Sequence, residues 1–253
     1  MTGTVRTPIH LVLLAGGQGL RAGVAAGEPP KQFRRTGRGL LYRVSLDALL
    51  DLDPDSGFRV AQVAVTVADR WRETVAGDLA GCPVPWALAP AGSTRTASTL
   101  NALEVLARGE DLARPGKDDL VAVHDSARPF ATAELLAKLA TAAVRQGGAV
   151  PGIPVTDTVV QARPDLAGVT YLPREELLAV QTPQVFRWAP CLEAHRWAAA
   201  EGLYFTDDGG LLAARGLAPA VVAGEGGNWK VTTEGDWVRA REILNADINL
   251  KGP

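Results

Sequence analysis

Leu11-Val-Leu-Leu-Ala-Gly-Gly-Gln-Gly-Leu-Arg21, followed shortly by Pro30-Lys31-Gln32-Phe33, is the stretch on which the fold turns. An unbroken apolar run that empties into Gly16, Gly17 and Gly19 reads as a buried strand ending in a loop. Without Cβ atoms, backbone N–H groups in such a loop can approach a phosphate chain. The glycines alone also fit a plain strand-to-helix turn. Arg21 and Lys31, placed beside the loop, favour an anion site. A P-loop is excluded, because no run of two glycines flanking four residues and followed by Lys-Ser/Thr is present. Gly17-Gln-Gly19-Leu-Arg-Ala22 fits the permissive dinucleotide fingerprint, which also requires a ribose-holding acid about twenty positions on. That region supplies Pro29-Pro30-Lys31-Gln32-Phe33 instead, and Asp47 lies in an amphipathic pattern from Leu40 to Leu50. A nicotinamide-dependent dehydrogenase is therefore the weaker reading.

With 253 residues, 47% hydrophobic and 6% aromatic, the chain is long enough for one large α/β domain with a sizeable core. A net charge of −2 leaves no basic footprint for nucleic acid, so a bound anion must be met by locally placed cations. Cys82 and Cys191 are far apart and form no CxxC, so a disulfide or a cysteine metal site has no support; thiols in a reducing compartment are expected. The N-terminus is too polar for a secretory signal and no apolar run approaches a membrane span, so a cytoplasmic location is expected.

Beyond the first loop the chain alternates. Helical patterns around Leu41–Leu52, Arg70–Leu79 and Ser93–Ala107 are separated by strand patterns at Val60–Val67 and Val84–Leu88. A buried strand is predicted at Leu120–His124, and a helix opened by Thr132 follows. This βαβα rhythm predicts a mostly parallel sheet covered on both faces, with ligands at the carboxyl ends of its strands. Between Gly147 and Thr182 the rhythm changes. Gly152–Val160 and Gly168–Tyr171 are two short β-prone pieces joined by Arg163–Ala167, the pattern of a hairpin or arm. Helices around Pro190–Gly202 and Asp207–Arg215 precede a strand at Ala218–Val222, a glycine-rich loop from Gly224 to Lys230, and a helix capped by Thr233-x-x-Asp236.

Four further constellations fall at predicted strand ends. In Ala91-Gly92-Ser93-Thr94-Arg95-Thr-Ala-Ser98, small and hydroxyl residues enter a helix and could read a base or ribose, or simply cap that helix. In His124-Asp125-Ser126-Ala-Arg128, a carboxylate leaves a buried strand. It could help to hold Mg²⁺, which takes one or two protein carboxylates plus substrate phosphates, or form an Asp–Arg pair. His124 reads as a packed strand-end residue, and His10 and His195 lack metal-like partners. Thr156, Asp157 and Thr158 with Arg174 and Thr182 suit a sugar phosphate, or decorate an exposed hairpin. Lys230, read as standing at a strand end in Asn228-Trp-Lys230-Val-Thr232, could complete a ring of cations with Arg21 and Lys31 around a triphosphate.

Seven segments, Leu14–Arg21, Pro30–Phe33, Val123–Pro129, Pro154–Thr158, Gln181–Gln184, Thr206–Asp208 and Asn228–Thr232, together resemble the 2-C-methyl-D-erythritol 4-phosphate cytidylyltransferase family, in order and over nearly the whole chain. The resemblance implies a Rossmann-like α/β nucleotidyltransferase fold in a single domain, 1–253, with a protruding β-arm at about 152–176 exchanged in a homodimer. It implies CTP and a polyol phosphate as substrates, Mg²⁺ as the metal, and CMP transfer in the non-mevalonate route to isoprenoid precursors. By the same resemblance, Ala15, Gly16, Gly17 and Gly19 with Arg21 and Lys31 would hold the triphosphate. Gly92, Arg95 and Ser98 would surround cytosine and ribose, with Asp125 at Mg²⁺ and Arg128 at the phosphates. Thr158, Arg174 (from the partner's arm), Thr182 and Thr206 would receive the polyol phosphate, and Lys230 would meet the reacting α-phosphate. The chain departs from the family pattern at Leu20, at Ser93 and at Gly209-Gly210, where a hydroxyl is lost and a looser helix start is expected. A ribitol 5-phosphate cytidylyltransferase and a non-catalytic nucleotide-binding regulator are the alternatives.

Overall fold

The apolar stretch forms β1 (Thr7–Leu14), whose side chains divide between two cores. A computed structural model of the chain describes residues 6–17, 29–162 and 168–250. Ile9, Leu11 and Leu13 pack with Tyr42, Leu46 and Leu49 of α1 (Leu41–Leu50) and with Leu135 and Leu139 of α4 (Ala133–Gln146). Val12 faces the opposite core, with Leu103 and Leu106 of α3 (Arg95–Arg108). Successive strand side chains point to opposite faces, so a strand covered on both must be apolar throughout. Leu11, Val12 and Leu13 have no exposed surface, and each burial stabilises by about 2 kcal/mol.

β1 pairs in parallel with β4 (Phe58–Val67) and β6 (Leu120–Asp125), and β4 in turn with β5 (Trp86–Pro90). Antiparallel β11 (Gln184–Arg187) joins β6 to β7 (Gly148–Pro154), which also carries β10 (Leu178–Val180) antiparallel and β12 (Ala220–Ala223) parallel. The order β10-β7-β11-β6-β1-β4-β5, with β12 on β7, is a mostly parallel sheet flanked by helices, as expected. The register sets Leu14 opposite both Thr66 and Asp125, so the loops leaving β1, β4 and β6 converge at one edge of the sheet. The remaining elements are the small hairpin β2 (Arg35–Thr36) and β3 (Gly39–Leu40), α2 (Arg72–Leu79), the hairpin β8 (Val160–Ala162) and β9 (Val169–Tyr171), α5 (Trp188–Ala200), α6 (Asp208–Ala214) and α7 (Glu234–Leu250).

The helix starts follow their capping chemistry. Thr132 accepts from Leu135 N–H at 3.0 Å. Thr233 and Asp236 form a reciprocal box, with Asp236 N–H to Thr233 Oγ1 at 3.1 Å and Thr233 N–H to Asp236 Oδ2 at 2.7 Å. Two expectations change. The piece read as Gly152–Val160 divides, because Gly152–Pro154 belongs to β7, where β10 pairs with all three residues; only Val160–Ala162 pairs within the arm. The expected looser start of α6 is held instead: Asp207 caps Gly210 N–H at 3.0 Å, and Gln184 Oε1 takes Asp208 N–H at 3.1 Å and Gly209 N–H at 2.9 Å. Among the described residues no helix is long and apolar enough to cross a membrane.

Candidate active site

Asp125 ends β6, and its carboxylate is the centre of the site. Lys230 Nζ donates to Oδ2 at 2.7 Å, and Arg95 Nε approaches Oδ1 at 3.4 Å. Burial favours the neutral acid, but Arg95 and Lys230, with Arg128 behind them, hold the carboxyl well below the usual carboxylate range. Beneath it, Thr182 Oγ1 accepts the Asp125 backbone N–H at 3.1 Å and meets His124 Nδ1 at 3.1 Å, while His124 Nε2 faces the Arg128 carbonyl at 3.1 Å. Burial lowers the His124 pKa to about 4. The ring is therefore neutral at physiological pH, donating from Nε2 and accepting the threonine hydroxyl at Nδ1. His124 is a packed strand-end residue, as expected.

The glycine loop is locked to this centre from three sides. Ser126 Oγ donates to the Leu14 carbonyl at 2.7 Å. Gln32 Nε2 donates to the carbonyls of Ala15 at 2.9 Å and Gly17 at 2.6 Å. A Cβ on Gly16 would stand 2.5 Å from Ala91 Cβ, so only glycine lets this loop lie against the one after β5. Gly19 and Arg21 lie outside the described residues. Lys31 sits in a short 3-10 turn, Lys31–Phe33, 5% exposed, and its ammonium donates to the Thr232 carbonyl. That contact brings the Lys31 turn against the segment two residues beyond Lys230, and burial lowers the Lys31 pKa.

After β5, Gly92 N–H donates to Ser98 Oγ at 3.0 Å, and Ser98 donates on to the Thr94 carbonyl at 2.9 Å. The Ser98 hydroxyl thus shapes the loop. A Cβ on Gly92 would lie 2.7 Å from Ser98 N, which leaves no room for any other residue. Arg95, the first residue of α3, is held between Asp125 and Asp208, with Nη1 at 2.7 Å from Asp208 Oδ2. Its buried Nη2 has no hydrogen-bond partner.

Lys230 lies on an irregular segment after β12 and not at a strand end as expected, because the ladder with β7 stops at Ala223. Side chains replace the ladder. Gln181 Nε2 donates to the carbonyls of Glu225 at 2.8 Å and Asn228 at 3.2 Å, its Oε1 accepts Glu225 N–H at 3.1 Å, and Asn228 Nδ2 donates to the Thr182 carbonyl at 2.9 Å. Arg128 Nη1 adds a bond to the Asn228 carbonyl at 2.8 Å. Replacing Gln181 by Ala removes three of these bonds, so a cost of about 2–3 kcal/mol is expected. Turnover should fall more than nucleotide affinity, which paired denaturation and steady-state measurements would check.

The remaining expected substrate residues are not gathered here. Thr158 and Arg174 are exposed on the arm, where Arg174 Nη1 donates to the Thr156 carbonyl at 2.8 Å. Thr206 is exposed just before α6. Thr182 is 4% exposed, and its hydroxyl is spent under Asp125. The arm itself presents Val169 and Tyr171, 50% and 71% exposed.

A glycine loop, a carboxylate at the end of a central parallel strand, and cations from three separate segments form one site. Residues 9–246 match the family model described as IspD: 2-C-methyl-D-erythritol 4-phosphate cytidylyltransferase. The chain belongs to the IspD family. A relative named bifunctional enzyme IspD/IspF from Bradyrhizobium sp. is 36% identical over 246 residues, covering 97% of this chain and 58% of that protein. The chain thus spans little more than half the length of such curated relatives. The crystal structure of 2-C-methyl-D-erythritol 4-phosphate cytidylyltransferase from Thermus thermophilus is 32% identical with a TM-score of 0.68, covering 94% of this chain and 98% of that one. A 4-diphosphocytidyl-2C-methyl-D-erythritol synthase from Anaerococcus prevotii shares the fold, with a TM-score of 0.76 at 23% identity over 94% of this chain and 96% of that one.

In this IspD-family chain, no group of three or more His, Cys, Asp or Glu among the described residues could cage a metal. The carboxylate of Asp125 has the donor chemistry that suits Mg²⁺, which takes one or two protein carboxylates and keeps most of its shell for water and substrate phosphates. Several residues of the site were invisible to motif reading. Gln32, Gln181, Gln184 and Asn228 act through loop carbonyls and amides, and their signal was their presence inside the quoted segments. Asp208 and His195, 1% and 0% exposed, form a buried pair at 3.0 Å behind Arg95. Burial opposes charge on His195. Burial also pushes the Cys191 thiol up, so Cys191 is uncharged and the Asp208 carboxylate is what raises the His195 pKa above its ordinary 6.5. That pair's stability contribution is complete below pH 6.5 and is lost as pH climbs through the raised native value. The thermal midpoint should therefore fall between neutrality and about pH 9.5 more steeply than in His195→Gln.

Proposed function

We propose that this chain transfers CMP from CTP to 2-C-methyl-D-erythritol 4-phosphate and releases pyrophosphate. The reading rests on membership of the IspD family and on one observation: Arg95 and Lys230 meet on Asp125 at the end of β6, with Arg128 close behind, beside a loop free of side-chain bulk at Gly16 and Gly17. An acceptor phosphate oxygen attacks the α-phosphorus of CTP, the α–β bridging bond breaks, and pyrophosphate carries away the electron pair. The acceptor is already an anion, so no general base is needed; the neutral, buried His124 agrees with that.

The chain's own residues supply positioning and charge stabilisation. Lys31 and the Ala15–Gly19 loop, with Arg21, hold the triphosphate. Gly92 and Ser98 shape the base and ribose pocket, which Arg95 borders. Lys230 faces the α-phosphate, and Arg128 the phosphates beyond it. Asp125 would hold Mg²⁺, which when bound screens the phosphate charges. Thr158, Thr206 and Arg174 receive the polyol phosphate, Arg174 from the arm of a second copy, and Thr182 supports the site from beneath Asp125. The exposed Val169 and Tyr171 favour an arm covered in a homodimer. The whole is a single domain of a cytoplasmic enzyme that binds neither nucleic acid nor membrane. Pyrophosphate release should be seen with CTP and the methylerythritol phosphate. Turnover only with ribitol 5-phosphate would reassign the acceptor, and CTP binding without turnover would make the chain a regulator.

A further inference from the structure

The two fully buried histidines of this chain have partners that fix opposite charge states. His124 is satisfied as a neutral ring, because the Thr182 hydroxyl can donate to it. His195 on α5 has no hydroxyl beside it, and the Cys191 thiol, a weak donor 3.7 Å from Nδ1, lies farther off than the carbonyl oxygen that the same nitrogen faces. Its Nδ1 faces the Cys191 carbonyl oxygen at 2.9 Å, and its Nε2 faces Asp208 Oδ1 at 3.0 Å. A carbonyl and a carboxylate only accept, so both ring nitrogens must carry protons. Asp208 stays ionised because Arg95 Nη1 stands 2.7 Å from its other oxygen. The titratable groups facing the ring are Asp208 from α6 and the Cys191 thiol, 3.7 Å away on its own helix, with Arg95 of α3 beyond Asp208.

Resting on the nucleotidyl-transfer reading, we infer that His195 is a buried imidazolium that, through Asp208, positions the Arg95 guanidinium at the nucleotide pocket. His195, Asp208, Arg95, Asp125 and Lys230 form a line of alternating charges, at successive distances of 3.0, 2.7, 3.4 and 2.7 Å, from the interior to the site. A carboxylate with both oxygens free grips arginine side-on through two parallel bonds. Here the two cations share the carboxylate, with the imidazolium at Oδ1 and Arg95 Nη1 at Oδ2. The guanidinium is therefore held to Asp208 through Nη1 and to Asp125 through Nε, and its Nη2 is buried and without a hydrogen-bond partner. Loss of the His195 charge lets Asp208 draw Arg95 into a two-point grip and away from Asp125. His195 and Asp208 are positioning residues that do not touch substrate.

Nitrogen-detected NMR of the full chain at pH 8, where an ordinary imidazole is neutral, should show both His195 nitrogens protonated and His124 with one proton. A singly protonated His195 overturns the inference. In steady state, His195→Gln should raise KM for CTP about tenfold with kcat within about twofold, and change KM less than about twofold in an Arg95→Ala background. Equal effects in both backgrounds, or a fall in kcat alone, would also overturn it. Should His195→Gln fail to fold, Asp208→Asn tests the same link: the second proton of His195 is lost and KM for CTP rises, whereas an unchanged ring and KM count against it. If the wild-type chain releases no pyrophosphate, the transfer reading fails, and the NMR result still decides the charge of His195.

Discussion

Lys230→Met is expected to lower kcat for pyrophosphate release by about a hundred- to a thousandfold, the scale of removing one preorganised charge from a developing oxyanion. The stability change should be small. The Lys230 side chain is 42% exposed, so its pair with Asp125 is partly solvated, and such pairs contribute about 0–1 kcal/mol. The arrangement that makes the lysine useful is its tether: Asp125 holds the ammonium at 2.7 Å, while Gln181 and Asn228 hold the backbone that carries it. Lys230→Arg should recover only part of the rate, since a planar fork cannot replace a compact ammonium on this tether. Single-turnover measurement separates the chemical step from binding. A rate within tenfold of wild type for Lys230→Met would remove Lys230 from the reaction.

The second large effect is expected at Asp125→Asn, and it should reach both activity and stability. The Asp125 side chain is 13% exposed and neutralises Arg95 and Lys230 directly, with Arg128 behind them. Removing it leaves those cations facing one another. Breaking a fully buried pair costs about 3–5 kcal/mol. Lys230 can swing into solvent, so a loss of about 2 kcal/mol is the better expectation, or a drop of about 4–8 °C in thermal midpoint for a chain of this size. The rate should fall about a thousandfold, because the lysine tether and the proposed Mg²⁺ ligand go together. The acid limb gives an independent check. The native pKa of Asp125 is depressed, so its contribution is complete above the ordinary 3.8 and is lost as pH falls through the native value. Asp125→Asn should therefore flatten the decline in stability between about pH 5 and pH 2. In the double replacement, Lys230→Met should cost much less, since the two groups act as a unit.

Motif reading found the groups that carry charge and missed those that hold them. Asp125 ends a strand, Arg95 and Lys230 follow short glycine-containing loops, and Lys31 stands in the Pro30–Phe33 run, all places where local pattern is informative. Gln181, Gln184 and Asn228 bond to backbone, which any segment supplies, so their partners had no sequence signature. The antiparallel β11 was missed for a similar reason. It is four residues long, just after Pro183, too short for a periodic pattern, and its pairing with β6 and β7 holds it. The arm was legible as a change of rhythm, but its base belongs to β7.

By itself, the sequence determined a mostly parallel α/β sheet, because an apolar run such as Leu11–Leu14 can be buried only where both faces of a strand are covered. It also marked the glycine-rich loop, and it named Arg95, Asp125 and Lys230, which meet in the fold. Only the tertiary structure decided which carboxylate those cations share, and that His195 is charged while His124 is neutral. Charge state depends on the atoms a buried ring faces, and those atoms come from residues such as Thr182 and Asp208, brought close by the fold and not by the chain.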